Sequence, residues 1–460
     1  MVNSGRSDTR AAPRACLSPP VVLCRYNSMK RSARCVRSGQ AILNNTPAEY
    51  RFSGLALTGR LLHCHPKKEV LMIRCLAFAL SLCTATTAYG QSCGGSFSGF
   101  VDALRQEAIS RGHAPDRVNS FFASVRQDQS VLQADRRQGV FQKPFTEFAR
   151  RLISSGRLNT GLAKSQQYDA VFERIEAEYG VPRGVLLAFW AFETDFGGFQ
   201  GDYNTLNALV TLSHDCRRPE LFRPQVFAAL DLYQMGDFDP ARTTGAWAGE
   251  IGMVQMLPQD IIDNGVDGDG DGHVDLKTSA PDALMSGGKM LQHLGWRAGE
   301  PWLQEVDVPD TLDWSKTGLR TTLPASEWAA MGVTPRLGQI RGDLPANILL
   351  PEGRKGPAFL AYPNFNVYFE WNQSYVYVLT AAYFANRLEG APVFDAGNPD
   401  PGLSDGQMKQ LQEKLAARGY DVGKIDGILG SGTRAAVQDV QQELGKPADA
   451  WPTPALLNAL

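Results

Sequence analysis

Eight consecutive apolar residues, Val185-Leu-Leu-Ala-Phe-Trp-Ala-Phe192, constrain this chain more than any other stretch. Tyr179-Gly180 and Val181-Pro182 stop the preceding helix, and Gly197-Gly198 closes the run, which therefore reads as a helix apolar on every face. Such a helix is stable only inside a shell of other elements. The flanks supply candidates. Phe100, Val101, Leu104 and Ala108 recur at helical spacing, as do Val171, Ile175 and Tyr179. Residues 203–235 and 375–388 read as further helix, 236–250 as loop, and 300–365, rich in Pro and Gly, as short strands and loops. The expected class is mainly α, of the α+β kind.

Glu193 follows the apolar run directly. Burying a lone carboxylate penalises its ionised form and raises its pKa, and a carboxyl kept protonated near neutrality can serve as a general acid. Asp195 lies about 200° further round the helix and cannot share its face. No second carboxylate of a two-carboxylate glycosidase is visible nearby. On these residues alone, an ordinary salt-bridged helix end stays open beside catalysis.

Asp267-Gly-Asp269-Gly-Asp271-Gly272-His273-Val274-Asp275 places oxygen ligands at positions 1, 3 and 5, Gly at 6 and an apolar residue at 8, the start of an EF-hand-type calcium loop. Position 12 is Thr278 instead of Glu, so Asp275 or Asp282 would have to close the ligand set. A metal-free Asp/Gly loop is the alternative. Gln255 stands alone in the apolar Gly252–Pro258 stretch, and aromatics and amides alternate from Asn364 to Tyr377. Both patterns suit sugar faces and N-acetyl groups, and both suit an ordinary core. No Walker loop, GxGxxG, CxxC, HExxH or GxSxG motif occurs.

The first ninety residues are a different material. They hold 13 of the 46 Lys and Arg, 3 of the 48 Asp and Glu, and six of the eight cysteines, which leaves residues 91–460 with a net charge of −12. That charge and the lack of basic clusters argue against nucleic acid as a partner. Met72-Ile-Arg74, the apolar run Cys75–Cys83 and the small-residue exit ending Ala88-Tyr89-Gly90 have the layout of a secretory signal peptide, so 72–90 is expected to be a leader. Residues 1–71 then read as a mis-assigned upstream extension. No stretch is long and apolar enough for a membrane span. In an exported, oxidising location the two cysteines left, Cys93 and Cys216, are expected to form a disulfide; two separate thiols are the alternative.

Residues 391–402 form a Pro/Gly linker. Beyond it, Ser404 to Gln407 is a capping box, Met408, Leu411 and Leu415 make one stripe, and Val437, Val440 and Leu444 a second. Thr453-Pro454 opens a last helix, so 403–460 reads as a three-helix unit.

These motifs together resemble one family. Glu193-Thr-Asp-Phe-Gly197, Thr205–Ser213 with Arg217-Arg218, Trp247–Pro258, the Asp267–Asp275 loop with Ser279–Leu284, and Gly356–Val367 with Asn372 and Ser374 look like the ordered blocks of membrane-bound B-type lytic murein transglycosylases. The tail, with Leu411-Gln412, Asp426-Gly427, Gly430, Thr433 and Gln441, resembles the peptidoglycan-binding type 1 module. The resemblance implies a lysozyme-like catalytic domain over 91–390 with additional helices. It implies an exported, periplasmic monomer acting on peptidoglycan glycan strands, recruited to cell-wall synthesis or division complexes. It implies Glu193 as sole acid/base, giving 1,6-anhydromuramic ends. Gln255, Asn372, Tyr377, Arg217 and Arg218 would bind substrate, and Asp267, Asp269, Asp271, His273 and Asp282 would hold a structural calcium. Catalysis would need no cofactor. A hydrolytic muramidase and a non-catalytic wall-binding protein are the alternatives. The sequence departs from the family at Ala246, where a Ser can stand, at Trp371, where a Tyr is usual, and at Met256, Met290 and Val440, where aromatics occur.

Overall fold

The computed structural model describes residues 93–137 and 143–460. The expected leader and upstream extension lie outside the described residues. Seventeen α-helices and seven short strands follow one another in the described chain. No helix among the described residues is long and apolar enough to cross a membrane.

The apolar run forms the helix Arg183–Thr194, in which every residue from Gly184 to Thr194 is buried. It sits in one hydrophobic cluster that reaches from Phe100 to Leu388. Its closest companion is the helix Tyr375–Leu388. Gly184 permits that approach, because a Cβ there would sit 2.7 Å from the Ala385 carbonyl oxygen. On another side lies the helix Ala280–His293, where a Cβ on Gly287 would come within 3.1 Å of Leu186. The central helix ends at Thr194, three residues before Gly197. Asp195 (φ 51°) and Phe196 (φ 59°) both turn left-handed, and their N–H groups return to the carbonyls of Ala191 and Trp190. Left-handed non-glycine residues cost about 1 kcal/mol or more each, so the surrounding packing must hold this turn.

Residues 303–361 contribute a five-stranded antiparallel sheet. Its order is Leu323–Pro324, Pro345–Leu349, Phe359–Ala361, Leu303–Asp307, Thr334–Pro335. A second apolar cluster centred on Trp328 packs against it. Cys93 and Cys216, 123 residues apart, are joined by a disulfide.

The C-terminal unit has three helices, Asp405–Ala417, Ser431–Glu443 and Pro454–Ala459, around its own core of Met408, Leu411, Leu415, Val437 and Val440. The segment 391–402 contains no helix or strand, yet it is pinned along the body. Phe394 packs on Tyr383 and Phe145 at ring distances of 4.9 and 5.1 Å. The Asn398 N–H donates to the Lys355 carbonyl at 2.8 Å, and Lys355 pairs with Asp400. The unit itself docks on the sheet side of the body through a two-pronged Arg320–Asp439 pair and through Gln438, whose amide donates to the carbonyls of Trp314 and Thr317.

Candidate active site

Glu193 is 1% exposed at the end of the central helix. Its Oε1 accepts hydrogen bonds from the indole Nε1 of Trp371 at 2.9 Å and from the hydroxyl of Tyr377 at 2.7 Å. Trp371 ends the helix Pro363–Trp371, and Tyr377 lies in the first turn of Tyr375–Leu388. The apolar run places these donors as well as burying the acid. Phe189 stacks on Trp371 at 4.2 Å, and Phe192 meets Tyr377 edge-on at 5.9 Å. The residue replacing the family's usual Tyr at 371 therefore still offers a donor at its far end. Asp195, in the left-handed turn beyond the helix, is turned to Arg157 at 3.0 Å.

The Trp247–Pro258 block is stitched to this helix end. The Thr194 hydroxyl donates to the Met253 carbonyl at 2.6 Å. Gln255, 3% exposed, holds a left-handed φ of 54°. Its Nε2 donates to the Gly252 carbonyl at 2.8 Å, while its Oε1, buried, meets no hydrogen-bond partner among the described residues. A strained backbone and an unsatisfied amide oxygen suit a group kept for a ligand. Asn372 is buried and its Oδ1 accepts from the Ser374 N–H at 2.9 Å, which caps the turn between the two donor helices.

Arg217 and Arg218 both pair with one buried carboxylate, Asp135. Arg218 is buried there, 5.0 Å over the Phe222 ring, whereas Arg217 keeps 36% of its side chain exposed. Asp135 had no sequence signal, because it lies in a polar helix, Gln129–Arg136. Glu250, also 1% exposed, is a second buried carboxylate that motif reading passed over. Met256 and Met290 are buried in the core and present no surface to a sugar.

In the Asp/Gly loop, ligand atoms of Asp267, Asp269 and Asp282 lie within 4.8 Å of one another. Backbone geometry gathers them. Asp282 accepts from the N–H groups of Gly268, Asp269 and Asp275, and Asp267 from those of Gly270, Asp271 and Gly272. The Gly272 hydrogen bond leads in holding the Asp267 carboxyl below the usual range. Three hard oxygen donors fit Ca²⁺ in kind and spacing. Asp271 stands outside this group. The His273 ring pairs instead with Asp237 at 2.8 Å, a hydrogen bond that raises the imidazole pKa.

The Transglycosylase SLT domain family matches residues 96–386, and a peptidoglycan binding domain matches 404–460. Membrane-bound lytic murein transglycosylase B of Escherichia coli is 26% identical over 282 residues, which covers 61% of this chain and 76% of that protein. SltB3 of Pseudomonas aeruginosa, solved with NAG-anhNAM-pentapeptide, is 37% identical with a TM-score of 0.73 over 80% of this chain and 99% of its own. Slt35 of Escherichia coli, solved with calcium, shares the fold at 24% identity and a TM-score of 0.56, over 65% of this chain and 96% of its own. A family match running through Glu193, both its donors and the Asp/Gly loop, across more than half of the chain, makes this protein a lytic transglycosylase of the SLT-domain family.

Proposed function

We propose that this lytic transglycosylase works with Glu193 as its single acid/base. Glu193, protonated, gives its proton to the β-1,4 glycosidic oxygen between N-acetylmuramic acid and N-acetylglucosamine, and the C1–O bond breaks. The resulting carboxylate takes the proton of the C6 hydroxyl of the same muramoyl residue. That oxygen closes on C1 and leaves a 1,6-anhydromuramic end. The observation that carries this proposal is one buried carboxylate at a helix end, whose Oε1 accepts hydrogen bonds from both Trp371 and Tyr377. An intramolecular hydroxyl also removes the need for a second enzymic carboxylate and a positioned water. The relative bound to an anhydromuramoyl peptide supports the product.

In this scheme Gln255 and Asn372 receive N-acetyl and hydroxyl groups of the glycan, and Arg217, half-exposed, receives carboxylates of the peptide stem. Arg218 acts through Asp135. Tyr377 serves the acid. The C-terminal module holds the wall, and the protein works outside the cytoplasm after export. Asp267, Asp269 and Asp282 would hold a structural calcium, which would neutralise three converging charges.

Buried Glu250 favours one other scheme, a hydrolytic muramidase in which a second carboxylate activates water. Product masses separate the two. A murein digest is expected to give 1,6-anhydro ends, lighter by one water than reducing ends. Reducing ends alone would overturn the proposal, and Glu250→Gln would then be expected to abolish turnover.

A further inference from the structure

The wall-binding module touches the body at two arginines of opposite character. Arg320 reaches from the body to Asp439 at a half-exposed rim. Arg434 reaches the other way, from the module helix Ser431–Glu443 into the body. Its Nη2 donates to the Pro351 carbonyl at 2.7 Å and its Nη1 to the Leu350 carbonyl at 3.4 Å. Its guanidinium carbon lies 4.5 Å from the centre of the buried Tyr375 ring. The carboxylates of Glu352 and Asp449 lie in the same charge field. Both are buried and both are engaged with backbone, Glu352 with the Thr146 N–H and Asp449 with the Arg354 N–H.

Tyr375 is the first residue of the helix whose third residue is Tyr377. Positions two apart on a helix face opposite ways. Tyr377 therefore points at Glu193 while Tyr375 points at the module. Only Asn372, Gln373 and Ser374 separate this helix from Trp371, the other donor to Glu193. Both hydrogen bonds that orient the acid thus arise at the two ends of one seven-residue segment, and its middle rests on Arg434.

We infer that Arg434 of the wall-binding module is a positioning residue for the lytic reaction: through Tyr375 it seats the Trp371–Tyr377 segment and so orients Glu193. This rests on the assignment of Glu193 as acid/base. The module then contributes to turnover as well as to binding. A planar cation stacked on an aromatic ring fixes that ring's position better than an apolar contact, and a buried centre of an interface carries more than its rim.

The test uses the full chain, with turnover of murein, pull-down on insoluble murein sacculi and thermal melting measured side by side. Displacing a catalytic group by about 1 Å can cost about a hundredfold in rate, so Arg434→Met is expected to lower kcat by about ten- to a hundredfold. KM and sacculus binding should stay near those of the parent. Arg434→Lys, which keeps charge without the planar stack, should recover part of kcat. Tyr375→Leu should reproduce the loss, and the double variant should lose no more than either single, because the two act as one unit. Arg320→Met, at the rim, should leave kcat unchanged. If Arg434→Met fails to fold, the Lys and Tyr375 variants carry the test. A folded Arg434→Met with the parent's kcat, an equal loss in Arg320→Met, or losses that multiply in the double variant would each overturn the inference. An inactive parent would instead remove the assignment of Glu193 and this inference together.

Discussion

Glu193 and Asp282 are equally buried, each 1% exposed, yet their surroundings are opposites. Glu193 is held by two neutral side-chain donors that stand 178 and 184 residues away in sequence. Asp282 is held by three backbone N–H groups within 14 residues, and two further carboxylates crowd it. A carboxyl that accepts from neutral donors keeps those donors in place whether or not it carries its proton. Three converging carboxylates repel one another, and a cation would add to the stabilisation that backbone N–H groups already give them. Burial is therefore common to both sites, and the neighbours are what set the two proposed roles, acid catalysis and ion binding, apart.

Substitutions can break this contrast, and the largest effect belongs to Glu193. Glu193→Gln keeps the shape and the acceptor oxygen but has no proton to give. Turnover is expected to fall by about 10²–10⁴-fold, the usual worth of general acid–base catalysis, with sacculus binding retained. Murein digestion by this variant at the parent's rate would remove Glu193 from the mechanism. Next come its donors. Tyr377→Phe and Trp371→Phe each delete one hydrogen bond to Glu193, a charged acceptor once it has given up its proton; such a bond is worth about 1.5–3 kcal/mol, so each should lower kcat by about ten- to a hundredfold. A rate change below twofold in both would mean that packing alone orients the acid.

At the other carboxylate the effect should appear in stability first. Asp282→Asn turns an amide donor toward backbone N–H groups and should cost about 2 kcal/mol, a fall of several degrees in melting temperature. Added Ca²⁺ should raise the melting temperature of the parent and EDTA should lower it, since a ligand of the native state stabilises it; the variant should respond to neither. An identical calcium response in both would place the ion elsewhere. The smallest effect belongs to the exposed His273–Asp237 pair. The Asp237 hydrogen bond raises the folded pKa of His273, so its stabilisation is complete below about 6.5, the ordinary histidine value, and is lost as pH rises through the folded pKa. Asp237→Asn should flatten a slight decline in melting temperature between about pH 6 and pH 8.

Local features of this fold were legible in the sequence. The Val185–Phe192 run announced a central buried helix, and its companions followed from helical spacing. The capping box at Ser404 and the cap at Thr453 marked two of the three tail helices. The alternation of Asp and Gly from 267 to 272 already implied a turn that gathers carboxylates. Other features carried no such mark. Tyr377 and Trp371 read as members of an aromatic stretch, and only the packing of two helices turns both toward Glu193. Arg217 and Arg218 read alike as substrate-binding residues, and only the fold buries Arg218 against Asp135. His273 stood at a ligand position in the loop, and its side chain turns instead to Asp237. The 391–402 segment has the composition of a tether, but Phe394 anchors it among aromatics from three other segments.

The sequence by itself determined where the buried helix runs, that it ends in a carboxylate, which loop gathers its own acids, and that a three-helix unit follows. These are short-range consequences of spacing, capping and apolar periodicity, which act over one or two turns of chain. Only the tertiary structure decided which groups orient Glu193, which arginine is neutralised, and that the wall-binding module bears on the segment behind the acid. Those contacts join residues some 60 to 180 positions apart. Nothing in local chemistry selects such partners. They are set by how the elements pack around the central helix.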